Sequence, residues 1–182
     1  VACDLHPDYL STHYAEQSGR PVKRVQHHYA HVLSCMAEHR LRGPVLGVSW
    51  DGTGYGLDGT IWGGEFLRAT REGFTRFAHF RPFPLPSGEK AIQEPRRTAL
   101  GLLYECLGEE AFRRTDLLPI QSFTNAELGV LRNLLEKGLH APRTSSVGRL
   151  FDAVASATMP TGSRSRARSA RRARPARNGR RR

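Results

Sequence analysis

Val45 to Trp50 is an apolar run of strand length that leads directly into Asp51-Gly52-Thr53-Gly54-Tyr55-Gly56, where three glycines occupy alternate positions. This junction constrains the chain more than any other segment. The run reads as a buried strand. The glycines read as a turn whose backbone can adopt positive φ or come close to a ligand. Amides in such a turn can cradle a phosphate. No helix follows and the last spacing differs, so the segment is not the dinucleotide fingerprint. Leu57-Asp58-Gly59-Thr60 places Asp-Gly between two apolar strands, which signals a hairpin. Both readings can hold, with Asp58-Gly59 turning the hairpin and Gly52 to Gly56 facing a phosphate. Trp62-Gly63-Gly64-Glu65 lies on the returning strand. Two glycines inside a strand mark a bulge or a close backbone approach. Glu65 is then either a polar group of a site or a solvent-facing strand residue.

The flanking segments supply helices. Strand candidates are Cys3 to Leu5, Val22 to Val25, Thr60 to Arg68 and Phe74 to Phe83. Helix candidates are Tyr9 to Gln17, His27 to Arg42, Ala91 to Leu107, Ala126 to Leu139 and Ser145 to Ala157. Gly19 and Gly43-Pro44 stop the first two, and Ser145 or Ser146 caps the last. Asp51 to Gly59 reads as a glycine-rich turn and Pro82 to Gly88 as a loop. Strands first and helices later predict a mixed α/β domain, with helices packed on a mainly antiparallel or mixed sheet.

Composition narrows the function classes. The 182 residues suffice for one domain with a core. No apolar run nears the ~20 residues of a membrane-spanning helix, and the start has neither a basic nor an apolar signal segment. A soluble, cytoplasmic protein that begins partway into a longer polypeptide is expected. Cys3, Cys35 and Cys106 form no Cys-x-x-Cys pair, which argues against a structural thiolate zinc site. Cys35 and Cys106 read as small buried hydrophobes. The formal charge of +11 suggests nucleic-acid binding, but residues 163–182 hold ten arginines and no acid, leaving +1 for the rest. After Pro160 no apolar periodicity remains, and residues 159–182 are expected to form a disordered tail.

His27 and His31 stand four apart, on one face of the predicted helix and one turn from each other. Neutral imidazoles so placed can bind one divalent ion such as zinc or iron. An incidental pair is the alternative. Two ligands are too few, and Asp51 is the best third, since functional carboxylates gather at the C-terminal ends of strands. The ladder His31, Cys35, His39 continues the same face, but His39 lies among charged neighbours at the solvated end.

Asp4-Leu5-His6-Pro7-Asp8-Tyr9, Val25-Gln26-His27-His28-Tyr29-Ala30-His31, Asp51-Gly52-Thr53-Gly54-Tyr55-Gly56 and Trp62-Gly63-Gly64-Glu65 together resemble the HypF family, the carbamoyltransferases of NiFe-hydrogenase maturation. Leu85-Pro86-Ser87-Gly88, Glu94-Pro95-Arg96-Arg97 and Ser145-Ser146-Val147-Gly148-Arg149-Leu150-Phe151-Asp152 extend the resemblance in order, to about Ser156. It implies residues 1–158 as the N-terminal part of a domain related to the tRNA threonylcarbamoyl-transferases, with partial ASKHA (actin/Hsp70-kinase-like) architecture. It places the metal on His27, His31 and Asp51. Tyr29 stands where the family usually has His, so neither His28 nor Tyr29 is assigned as a ligand.

The resemblance further implies carbamoyl transfer from carbamoyl-adenylate, formed from ATP in a separate domain, to the C-terminal cysteine of a partner, HypE. Asp51 and Glu65 are then the catalytic candidates. Gly52, Thr53, Gly54, Gly56, Gly63, Gly64, Ser145, Ser146, Gly148, Arg149 and Asp152 are the candidates for holding the adenylate. The nucleophile belongs to the partner, so no internal nucleophile is required. The family continues past Asp152 to a further metal-binding aspartate, whereas this chain turns arginine-rich. A frameshifted tail and a fragment inactive alone are expected. The alternatives are a non-catalytic metal-binding fragment and a protein that binds nucleic acid through its tail.

Overall fold

The computed structural model describes residues 1–159. The arginine-rich segment, with the disorder, the frameshift and the nucleic-acid binding expected of it, lies outside the described residues. Two sheets organise the rest. The first is a short parallel pair, β1 (Ala2–Asp4) and β2 (Lys23–Val25), with α1 (Leu10–Gln17) between them. The second has five strands in the order β3 (Val45–Tyr55), β4 (Ile61–Ala69), β7 (Arg143–Thr144), β6 (Phe83–Pro84), and β5 (Phe74–His79) also pairs with β4. β3, β4 and β5 are antiparallel, while β7 meets β4 in parallel at Ile61. The mixed α/β architecture with a mixed sheet is as the sequence predicts.

Helix α2 (His27–Glu38) covers one face of the β3–β4 hairpin. Tyr29, Val32 and Met36 recur at helical spacing and bury against Trp62, Leu67 and Ala69 of β4. Gly47 of β3 sits under Val32, where an added Cβ would lie 2.4 Å from a methyl carbon. The helix stops four residues short of the predicted Arg42. Arg40 takes a left-handed φ of 55°, and the Leu41 N–H returns to the Met36 carbonyl at 2.8 Å. This reversal ends the helix before Gly43-Pro44 can.

The segment 51–55 is not a turn. It continues β3, and the chain turns only at Gly56–Thr60, where Gly59 has φ 74°. Alternate residues Leu46, Val48 and Trp50 on the β3 face away from α2 are 54–61% exposed. The helix predicted over 91–107 is two, α3 (Glu89–Gln93) and α4 (Pro95–Leu107). Pro95 disfavours helical backbone at Glu94 and suits the first turn of α4 instead. The Thr98 hydroxyl bonds the Ala91 carbonyl at 2.7 Å and fastens the two.

Beyond α4, a 3-10 turn (Gly108–Arg113) and α5 (Leu118–Gln121) lead to α6 (Asn125–Lys137). Thr124 and Glu127 close a reciprocal capping box at the start of α6, and Gly138 ends it in the left-handed region. Leu100, Ile120, Phe123, Leu131 and Leu135 form the core of this half. The last helix, α7 (Val147–Thr158), starts at Ser146, whose hydroxyl accepts from the Arg149 N–H, and it packs along α4. Cys35 and Cys106, expected to be buried, are exposed, because α2 and α4 turn those positions away from the cores. No helix among the described residues is long and apolar enough to cross a membrane.

Candidate metal centre

The start of α2 and the middle of β3 meet at three side chains. Gln26 caps the helix by accepting from the Tyr29 N–H at 2.9 Å, so His27 is the first helical residue. One turn later His31 brings its Nε2 to 3.2 Å from His27 Nε2. Asp51 Oδ2 lies 2.9 Å from His27 Nε2 and 3.6 Å from His31 Nε2. One ligand atom from each of the three residues falls within 4.8 Å of the others. The trio chosen from spacing is therefore brought together, with its donors facing one another. His39 caps the far end of α2, and neither it nor Cys35 joins the group.

A bulge delivers Asp51. The β3–β4 register runs to Trp50↔Gly64 and resumes at Gly54↔Trp62, so Asp51, Gly52 and Thr53 stand opposite Gly63 alone. The freed carbonyls of Asp51 and Gly52 both accept from the Ser146 hydroxyl, at 2.7 and 2.9 Å. The Gly52 N–H donates to Asp51 Oδ1 at 2.6 Å and orients the carboxylate. Close approach explains two of the glycines. A Cβ on Gly63 would lie 2.6 Å from the Asp51 carbonyl and 2.9 Å from Ser146 Cα, and one on Gly54 would lie 2.4 Å from the His28 ring. Because the neighbours of Gly63 are backbone, Gly63→Ala is expected to cost about 1–3 kcal/mol of stability. Urea unfolding of the variant beside the parent measures it.

The electrostatics follow from this geometry. Burial opposes a charge on His27, but hydrogen bonds to Asp4 and Asp51 outweigh it and raise its pKa above the ordinary value. Burial likewise opposes the Asp51 carboxylate, yet the Gly52 N–H and His27 hold its pKa below the usual range. His28 behaves differently. It is fully buried, and burial pushes its pKa down to about 4. Its Nδ1 sits 3.2 Å from the Gln26 amide, which also donates to the Tyr55 carbonyl. His28 is therefore a neutral core residue, outside the His27, His31, Asp51 group.

Glu65 is buried and does not face solvent. Its carboxylate accepts from Arg76 Nε at 2.6 Å, from the Ser145 hydroxyl, and from the Gly63 and Gly64 N–H groups at 3.2 and 3.3 Å. Those bonds outweigh the burial that would raise its pKa and hold it low. Arg76 also reaches Asp58 at 3.0 Å and stacks 4.0 Å over the Trp62 ring. Asp58 in turn accepts from Trp62 Nε1 at 2.9 Å. Sequence reasoning singled out neither Arg76 nor this role for Asp58.

The remaining candidates divide. Gly52, Gly63, Ser146, Gly148 and Arg149 cluster where α7 begins, and a Cβ on Gly148 would lie 2.8 Å from Gly52 Cα. Arg149 bonds Asp152 at 3.0 Å, while its Nε is buried without a partner. Ser145 belongs to the Glu65 network. Gly56 packs under Trp62 and Gly64 under the Ser145 carbonyl, and Thr53 is exposed. Asp4 and Tyr9 were missed as site residues. Asp4 bonds His27 Nδ1 at 2.7 Å. The Tyr9 ring stacks on His6, and its phenol is pushed up by burial and then by the Asp4 and Asp51 carboxylates. Position in the Asp4–Tyr9 motif was the one available signal.

Comparison with known proteins places these features in context. Residues 1–38 match the HypF Kae1-like domain, and residues 47–165 match the second subdomain of the carbamoyltransferase Kae1-like domain. Carbamoyltransferase HypF of a Synechocystis species is 48% identical, over 85% of this chain and 22% of that protein. The protein of the same name from Rhizobium leguminosarum bv. viciae is 43% identical, over 85% and 20%. The chain thus spans about a fifth of the length of these two relatives. Full-length HypF, crystallised in a phosphate- and nucleotide-bound form, superposes with a TM-score of 0.78 at 41% identity, over 85% of this chain and 24% of that one. HypF of T. kodakarensis gives 0.71 at 36% identity, over 85% and 22%. These likenesses agree with a partial actin/Hsp70-kinase-like fold.

Proposed function

The chain belongs to the HypF carbamoyltransferase family, and from that premise we propose that it forms part of the site where a carbamoyl group passes from carbamoyl-adenylate to the C-terminal cysteine thiolate of HypE. The observation that carries this reading is the shared bulge at Asp51–Thr53. One end belongs to the convergent His27, His31, Asp51 donors, and the other is bonded to the start of α7.

The donor set fits a divalent cation of borderline softness, zinc or iron, with two imidazoles and one carboxylate within reach. When bound, such an ion supplies Lewis-acid polarisation of a phosphoryl or carbamoyl oxygen. The chain's own residues do the rest. Arg149 carries a buried, unpartnered Nε and brings its Nη2 close to Gly52, which suits its guanidinium to hold the adenylate phosphate. Ser146 fixes the bulge against α7, so the metal ligand Asp51 and the anion-binding Arg149 keep one geometry. Gly63 and Gly148 let those backbones meet. Glu65, fully bonded to Arg76 and Ser145, positions the serine segment and does not act on the carbamoyl group.

In the transfer, the partner's thiolate attacks the carbamoyl carbon. An S–C bond forms, the C–O bond to phosphate breaks, and AMP leaves with the electron pair. The guanidinium of Arg149 offsets the charge that grows on the leaving phosphate. The relative crystallised in a phosphate- and nucleotide-bound form supports nucleotide binding in this family.

Calorimetric titration with AMP, in buffer containing zinc, tests the reading. Arg149→Ala is expected to weaken AMP about 10–100-fold, the worth of a hydrogen-bonded charge pair. Equal affinity in the two proteins would remove Arg149 from the site. Failure of the unsubstituted chain to bind AMP would remove the nucleotide reading altogether.

A further inference from the structure

We propose that Asp4 is a positioning residue of the metal centre, holding the Nδ1–H of His27 so that Nε2 is the nitrogen presented to the cation. The inference rests on the metal reading above and deepens it.

Asp4 lies 23 residues before His27, and the short parallel sheet brings the two together. In its register Asp4 pairs with Val25, two residues before the helix begins. Asp4 is then held at both its side chain and its backbone. Oδ1 accepts from the His6 N–H at 2.8 Å, and the Asp4 carbonyl accepts from the Thr12 hydroxyl at 3.3 Å. That leaves Oδ2, which sits 2.7 Å from His27 Nδ1. The Asp4 side chain is only 15% exposed, so water competes weakly for this bond.

The two nitrogens of His27 are thereby divided. Nδ1 faces Asp4, while Nε2 faces Asp51 at 2.9 Å and His31 at 3.2 Å, at the centre of the donor group. A neutral imidazole carries one proton, and the hydrogen bond at one nitrogen decides which nitrogen is left to bind metal. A carboxylate on the far nitrogen also fixes the ring plane and makes the ligand more basic. A bond that merely fastened β1 to α2 would need no such division. The β1–β2 pairing sets this carboxylate beside His27.

The test uses the full chain, Asp4→Ala and Asp4→Asn, with cobalt(II) followed by its visible absorption and zinc by competition. Asp4→Ala is expected to bind both metals about 10–100-fold more weakly, with an altered cobalt spectrum and unchanged far-ultraviolet circular dichroism. Asp4→Asn keeps an oxygen acceptor for Nδ1–H and is expected to recover part of the loss. Asp4→Ala binding within about twofold of the parent would overturn the inference and leave the metal reading standing. Failure of the parent to bind cobalt would overturn both. Should Asp4→Ala fail to fold, the imidazole nitrogen shifts of the zinc-loaded parent decide. Protonated Nδ1 with metal-bound Nε2 is expected, and the reverse assignment would overturn the proposal.

Discussion

Replacing His27 and His31 together by alanine is expected to lower zinc affinity more than about 100-fold while leaving the fold intact. The magnitude follows because loss of an outer partner alone costs 10–100-fold, and here two direct donors go. The fold should survive because the two side chains are 25% and 57% exposed and neither belongs to a hydrophobic core. Alanine is also the better helix former. Metal content after dialysis, read beside circular dichroism, separates loss of ligands from loss of structure. Metal retained at the parent's level would show that the histidines are packed together for another reason. Loss of both metal and helix would show that α2 depends on the pair, contrary to their exposure.

Arg76→Ala is expected to be the most damaging substitution for stability, at about 3–5 kcal/mol. Glu65 is fully buried, and Arg76 is the cation against its carboxylate. Removing one partner of a buried pair leaves the other charge uncompensated, which costs far more than the pair contributes. The substitution also uncovers the Trp62 ring and releases Asp58 at the hairpin. For a domain of this size the loss lowers Tm by roughly 6–20 °C. The pH dependence has a definite sign. The pKa of Glu65 is held below its ordinary 4.5, so its bonds stabilise the protein above that value. That stability is lost as pH falls through the lowered pKa. Thermal melts of the parent and Arg76→Ala between pH 3 and 7 measure both effects. The gap should be widest near neutrality and narrow in acid.

The two substitutions probe different layers of one arrangement. His27, His31 and Asp51 carry the proposed chemistry at the surface of the β3–α2 contact. Glu65, Arg76 and Ser145 lie beneath, tying the hairpin to the segment that leads into α7. Since Ser146 holds the bulge that delivers Asp51, damage below should reach the proposed metal ligand through backbone position.

Much of this was legible in the residues. Helical spacing announced α2 and α6, whereas the capping box of Thr124 and Glu127 that starts α6 was not read from it. The i, i+4 histidines could meet one cation only if helical, and the helix that places them also carries an apolar stripe of Tyr29, Val32 and Met36. Asp51 stood at the end of an apolar run, where carboxylates gather. Other elements left no periodic trace. β6, β7 and α5 are two to four residues long, and tertiary pairing alone defines them.

What the sequence determined by itself was local: that α2, α6 and α7 are helical, where the hairpin turns, and that two histidines share a face. Those follow from periodicity, caps and glycine, which act over a few residues. What only the tertiary structure decided was which groups meet across distance. The glycine-rich stretch proved to be a bulged strand because Ser146, 95 residues away, binds its freed carbonyl. Glu65 proved to be a buried anchor because Arg76 closes over it from the neighbouring strand. Asp4 reached His27 through a parallel pairing that periodicity does not encode. A charge or a lone pair takes its role from the partner that desolvates it, and chain folding sets that partner.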